Sequence, residues 1–236
     1  MFAANEAFAV MKRAQLVLAV LALALPVLAA AFATTRQELQ EALRSKPNLD
    51  HGAELFRNCA VCHGPQGGGT RDGGVPRIAG QHISVLAKQL VDYRHDRRWD
   101  IRMEHFADKH HLNDPQALAD VTAYIHQLTV ETPPGVGDGE LAPHGANVYG
   151  RLCQSCHGES AEGNAKRMVP RIAGQHFDYL MRQIYDATDG RRPNFSPVHI
   201  RLLATLDRRD IVGVADYLSR LDPRKGDSAP SQAAAP

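Results

Sequence analysis

The sequence predicts an all-α protein built as two small helical domains in tandem, and two observations carry that prediction. First, the chain repeats itself. Val75-Pro76-Arg77-Ile78-Ala79-Gly80-Gln81-His82 recurs unchanged as Val169-Pro170-Arg171-Ile172-Ala173-Gly174-Gln175-His176, 94 residues later. Eight consecutive identities at a fixed offset mark a duplicated structural unit. Second, the apolar residues that follow each string keep helical spacing, and no stretch shows sustained strand alternation. The chain has 236 residues, room for two units of just under a hundred residues each and no third.

The segment 1–33 has the order of a secretory signal peptide. Lys12 and Arg13 precede an apolar run from Leu16 to Leu28, and Ala31-Phe32-Ala33 places small residues where cleavage requires them. Nothing before Met11 adds to this pattern, so translation starting at Met11 is consistent with it. The alternative is an uncleaved anchor over Ala14–Ala33, 20 residues that just suffice to span a bilayer, which leaves membrane association open. Either way, the remainder is expected to be exported to the periplasm.

Residues 34–131 are read as the first domain. A short helix covers His51–Asn58, a second places Ile83, Leu86, Leu90 and Tyr93 on one face, and a third places Leu118, Val121, Ile125 and Leu128 together. Asn113 or Asp114 is the expected N-cap of the third, with Pro115 in its first turn. Residues 132–142 form a linker whose Thr132-Pro133-Pro134-Gly135-Val136-Gly137-Asp138-Gly139 string holds neither helix nor strand. Residues 143–221 repeat the plan. His144–Leu152 opens it; Phe177, Leu180, Ile184 and Tyr185 follow on one face; a helix capped by Asp207 then carries Ile211, Val214 and Leu218. The tail 222–236, rich in Ser, Ala and Pro, is expected to be disordered.

Charge names no partner: 27 basic and 26 acidic residues leave a net +1, and no basic block suggests nucleic acid. The four cysteines are more informative. In an exported protein they would ordinarily form two disulfides, but they fall as Cys59-Ala60-Val61-Cys62-His63-Gly64 and Cys153-Gln154-Ser155-Cys156-His157-Gly158, in step with the repeat. Cys-x-x-Cys-His is the pattern of c-type haem attachment. Two thiols one helical turn apart reach the two vinyl groups of a haem and form thioethers, and the adjacent His supplies an axial nitrogen to the iron. Zinc needs four closed ligands, and a redox Cys-x-x-Cys has no use for the following His. Two haem c groups, one per domain, are therefore expected.

From Asp50 to Leu221 the chain resembles the dihaem class I cytochromes c of the cytochrome c4 family. The resemblance rests on both Cys-x-x-Cys-His-Gly motifs, both Pro-Arg-Ile-Ala-Gly-Gln strings, and the terminal helices containing Ala123-Tyr124-Ile125 and Asp216-Tyr217-Leu218. It implies two class I cytochrome c domains, each wrapped around one covalent haem, with the Pro76 and Pro170 carbonyls accepting from His63 and His157. Arg77 and Arg171 would lie near haem propionates, the alternative being solvated surface arginines. It also implies a carrier of single electrons rather than an enzyme. Its partners would be a membrane quinol-oxidising complex or periplasmic dehydrogenase on one side, and a terminal oxidase or reductase on the other.

The sixth ligand departs from that family, whose ligand is Met. Met168 and Met181 are out of place in the second domain, and counting back from Tyr217 reaches His199. Shifting His199 by the repeat gives His105, with Arg97-Arg98 and Arg191-Arg192 matching upstream and Leu112 and Leu206 downstream. Met103 competes with His105 in the first domain. This unusual position keeps an enzymatic alternative alive, a dihaem peroxidase or sulfur-compound dehydrogenase, as well as the electron-accepting subunit of a larger oxidoreductase. Other histidines are read plainly: His110 and His111 face solvent, His82 and His176 pack or hydrogen-bond near the haem edge, and His51, His95, His126 and His144 are surface groups. Trp99 is either core or a partner contact.

Overall fold

The computed structural model describes residues 34–225, and the proposed signal segment lies outside them. Helix α1 spans residues 34–44. It is followed by α2 (Leu49–His63), α3 (Ile83–Arg94), α4 (Ile101–Ala107) and α5 (Pro115–Gln127). The second half has α6 (Ala142–Leu152), α7 (Gln154–His157), α8 (Phe177–Thr188), α9 (Pro197–Leu203) and α10 (Arg208–Ser219). No strand occurs among the described residues; Asn164 and Val169 form an isolated antiparallel bridge.

Each half is held by its first long helix crossing its last. α2 packs on α5, and α6 on α10. Gly52 and Gly145 permit the crossings. A Cβ on Gly52 would stand 2.2 Å from the Asp120 carbonyl oxygen, and one on Gly145 would stand 1.8 Å from that of Gly213. Helix axes this close require a residue without a side chain at the contact. The expected faces are the buried ones: Leu86, Leu118, Val121 and Ile125 join Phe56 in one core. Leu180, Val214 and Leu218 join Tyr149 in the other.

The predicted caps are present. Asp114 accepts from the Ala117 N–H ahead of Pro115, and Asp207 forms a reciprocal capping box with Asp210. Three elements went unforeseen. α1 lies outside the repeat and docks through Glu38, whose carboxylate receives Arg94 and the His95 ring. α4 and α9 are seven residues each, too short for periodicity to reveal. The first helix also runs further than expected, from Leu49 through both cysteines to His63. At the other end, residues 222–225 form a turn closed by Lys225 N–H on the Asp222 carbonyl, and the rest of the tail lies outside the described residues.

The identical strings turn out to be the seam between the halves. Gln175 accepts the Arg77 N–H at 3.0 Å and returns a bond to the Arg77 carbonyl at 2.8 Å. Gln81 does the same with Arg171, at 3.0 and 2.8 Å. His82 donates across the seam to the Glu162 carbonyl and His176 to that of Gly68, at 2.8 and 2.7 Å. Each contact has its partner 94 residues away, which is the signature of a two-fold relation between the halves. The ring of His176, 2% exposed, also accepts the Gly135 N–H from the linker.

Candidate functional site

α2 presents Cys59 and Cys62 on consecutive turns and ends with His63, buried beneath them. Gly64 then breaks the helix at φ +75°, a conformation glycine adopts without strain. In the second half α6 gives way to α7 at Cys153, and Gly158 ends it at φ +87°. No disulfide joins the four cysteines. Burial pushes the Cys59 and Cys153 thiols up to about 11, so they are neutral near pH 7 and unlike the low-pKa thiols of redox Cys-x-x-Cys sites.

His63 donates from Nδ1 to the Pro76 carbonyl at 2.9 Å, and His157 to that of Pro170 at 3.1 Å. A carbonyl can only accept, so each ring carries its proton on Nδ1 and its lone pair on Nε2. Burial, the leading cause, holds both rings below the ordinary imidazole range, which keeps them neutral and able to ligate. This is the arrangement in which a carbonyl fixes the orientation and donor strength of a metal-binding imidazole.

Opposite His157 stands His199, on α9, with ring centroids 6.1 Å apart. A metal–imidazole bond of about 2 Å on each side would place two such centroids roughly 6 Å apart, so the gap matches one metal atom. Burial, then His157 and Arg192, push His199 down to about 4, leaving it unprotonated at neutral pH. The ring rests edge-on against Phe195 at 4.8 Å.

The first half is built differently at this point. His105 packs against Phe106 and His111, with centroids 5.2 and 4.6 Å away. Residues two apart on a helix point about 200° away from each other, so α4 can turn either Met103 or His105 inward. Ala107, one turn beyond Met103, is 0% exposed; Ile101, one turn before His105, is 82% exposed. Met103 therefore lies on the inner face and His105 on the outer. The helix caps explain why the repeat misleads here. Asp100 caps α4 and Ser196 caps α9, 96 residues apart rather than 94. Met103, not His105, occupies the place of His199.

Arg77 and Arg171 are both buried, which removes the solvated alternative. The Arg77 Nη2 donates to the Thr132 carbonyl at 2.8 Å, while its buried Nε has no partner within the protein. Such a donor calls for an anion, as a propionate would supply. Further along the seam Arg98 donates to Gln89 and Tyr179, and Arg192 to Gln183. Burial and the neighbouring Arg98 press Arg192 down to about 10.

Several histidines read as surface groups have structural partners that the sequence does not reveal. His51 bonds the buried Asp120 at 2.8 Å, His144 bonds Asp210 at 2.7 Å, and His95 bonds Glu38 at 2.6 Å. His126 bonds the Gln81 carbonyl at 2.8 Å and remains exposed. His82 and His176 serve the seam described above. His111 is only partly exposed and leans on Asp108. Trp99 is 56% exposed, its N–H donating to the Asp96 carbonyl.

A cysteine pair three residues apart, a neutral imidazole oriented by a carbonyl, and a short capped helix beyond the second long helix occur once in each half. Together they define a tandem c-type cytochrome, and comparison with known proteins agrees. Residues 49–129 match the cytochrome c family, and residues 140–218 match cytochrome c oxidase, cbb3-type, subunit III. Cytochrome c4 of Azotobacter vinelandii is 31% identical over 183 residues, covering 69% of this chain and 84% of that protein. The crystal structure of reduced cytochrome c4 from Pseudomonas stutzeri superposes with a TM-score of 0.67 at 25% identity, covering 75% of this chain and all of that one. A thiosulfate dehydrogenase electron acceptor from Thiomonas intermedia is 29% identical, covering 73% of this chain and 83% of that protein. The chain belongs to the cytochrome c4 family. It is a dihaem electron-transfer cytochrome with two covalently bound haem c groups.

Proposed function

We propose that this protein relays single electrons between redox partners in the periplasm, through one haem ligated by His and Met and a second ligated by two His. Cys59, Cys62, Cys153 and Cys156 would form the thioethers, with His63 and His157 as proximal ligands. Met103 is the proposed sixth ligand of the first haem and His199 that of the second. Pro76 and Pro170 orient the proximal rings, and Arg77 and Arg171 offer charge to the propionates. Haem, once bound, supplies an iron centre that cycles by one electron.

The observation that carries this reading is the 6.1 Å separation of the His157 and His199 rings. A metal closed on both faces has no position for a substrate, which favours a carrier over a peroxidase or a dehydrogenase. Unequal ligation gives the two centres unequal potentials, because methionine raises the potential relative to histidine. The Met-ligated first half would then be the electron sink of the pair, and the segment after α3 meets α8 across the seam through Arg98 and Tyr179.

The partners follow from chemistry and likeness. One side would be a quinol-oxidising complex or a periplasmic dehydrogenase, the other a terminal oxidase or reductase. The similarity to an electron acceptor of thiosulfate dehydrogenase supports a dehydrogenase donor. Among the described residues no helix is long and apolar enough to cross a membrane. Export by the 1–33 segment is part of the same proposal.

Optical and electron paramagnetic resonance spectra of the purified protein test the reading. Two low-spin haems are expected in both oxidation states, one with the near-infrared-edge band of methionine–iron ligation and one without, and neither binding carbon monoxide when reduced. A five-coordinate haem that takes up carbon monoxide would transfer the argument to an enzyme.

A further inference from the structure

We propose that His105, Asp108 and His111 form a surface site for a divalent transition-metal ion of the zinc or copper class, a site separate from the two haems. The inference rests on Met103 rather than His105 ligating the first haem, since that frees the His105 ring for the outer face of α4.

One donor atom from each of the three residues lies within 4.8 Å of the other two. Two imidazoles and a carboxylate suit zinc, copper or nickel rather than calcium or magnesium, which prefer oxygen throughout. Three protein ligands leave further positions for water.

The donors are also held in place. Asp108 Oδ1 accepts the His110 and His111 N–H groups at 2.8 and 3.1 Å, which fixes the turn after α4. The same oxygen meets the His111 Nδ1 at 3.0 Å, so an ion taking the place of the shared proton would have this imidazole and this carboxylate on it together. Phe106 forms a wall behind both rings, its centroid 5.2 Å from each. Small rotamer changes would complete the coordination, because the rings and carboxylate already face one another at the partly exposed surface.

The second half lacks this set. At the cap-aligned positions stand Arg201, Ala204 and Asp207, and the last of these is already committed to capping α10. A bound ion would therefore tie α4, the helix carrying Met103, to the turn before α5 in the first half alone. Metal loading would act on the first haem and leave the second unchanged.

The test uses the dihaem protein, free of any polyhistidine tag and stripped with a chelator, titrated with zinc by calorimetry and by equilibrium dialysis with metal analysis. One zinc per chain is expected, with His105→Ala and His111→Ala each weakening binding at least tenfold, the loss typical when a metal site is damaged. Equal binding by the double variant, or no binding by the unaltered protein, overturns the site. The visible spectrum of metal-free His105→Ala separates the two readings. An unchanged low-spin first haem with lost zinc binding supports both. A high-spin first haem makes His105 its ligand and overturns the Met103 assignment and the zinc site together. His111→Ala, which alters neither candidate ligand of the first haem, keeps the zinc question answerable if His105→Ala folds poorly.

Discussion

Met103 and His199 occupy the same place in the two halves: each is the third residue after its helix cap, and each backbone N–H points to the capping side chain, Asp100 in one case and Ser196 in the other. The loop leading from α8 to α9 is longer by two residues than the loop from α3 to α4. That insertion moves the helix out of the 94-residue step of the surrounding sequence. It sets Met103 at the position that the second half gives to His199, whose ring stands 6.1 Å from that of the proximal His157.

Replacing these two proposed ligands is expected to have different effects on the two centres. Met103→Ala should leave the first haem attached yet high-spin. His199→Met should keep the second low-spin and raise its potential by a measurable part of the roughly 0.8 V that axial ligation spans. Redox titration followed in the visible spectrum reads both. A His199→Ala protein with an unaltered spectrum would remove His199 from the iron.

The seam depends on two glutamines. Gln81→Leu strands the Arg171 N–H and carbonyl that Gln81 now serves at 3.0 and 2.8 Å. A buried polar group left without a partner costs about 1–3 kcal/mol. Scanning calorimetry should show a lowered transition for Gln81→Leu and a similar one for Gln175→Leu, since the bonds are reciprocal. With both replaced, the halves should melt separately.

Gly52→Ala and Gly145→Ala should each destabilise their own half. The new methyl meets a backbone carbonyl of the crossing helix, at 2.2 and 1.8 Å, and a backbone cannot rotate aside as a side chain does. Overpacking of this kind costs about 1–3 kcal/mol or more. Denaturant unfolding followed at each haem would locate the loss, and equal stability of Gly52→Ala would show that the helices separate freely.

The attachment of α1 should fail in acid. Burial raises the Glu38 carboxyl, but the His95 bond and the Arg94 charge and bonds outweigh it, and the group ends below its usual value of 4.5. A carboxylate depressed in the folded state stabilises fully above its unfolded value, and that contribution disappears as pH falls through the folded one. Hydrogen exchange of residues 34–44 should therefore rise below about pH 4.5, well before the haem cores open, and Glu38→Gln should show the faster exchange already at neutral pH.

The sequence by itself determined the duplication, the all-α class, the two haem-binding motifs and the faces of the long helices. These are local properties: identities at a fixed offset, chemistry confined to five consecutive residues, and apolar periods long enough to count. Cap positions were legible for the same reason, as Asp114 and Asp207 show. The tertiary structure alone decided that His199 faces His157, and that Met103 rather than His105 shares its place after the helix cap. α4 and α9 have only seven residues each, so no period announces them, and the two-residue slip between them cancels the repeat where the ligand had to be read. It alone decided, too, that the identical strings bind each other across the molecule, and that His51, His95 and His144 have buried or half-buried carboxylate partners. Those pairings join residues 57 to 69 positions apart, and a contact made by folding leaves no trace in the spacing of neighbours along the chain.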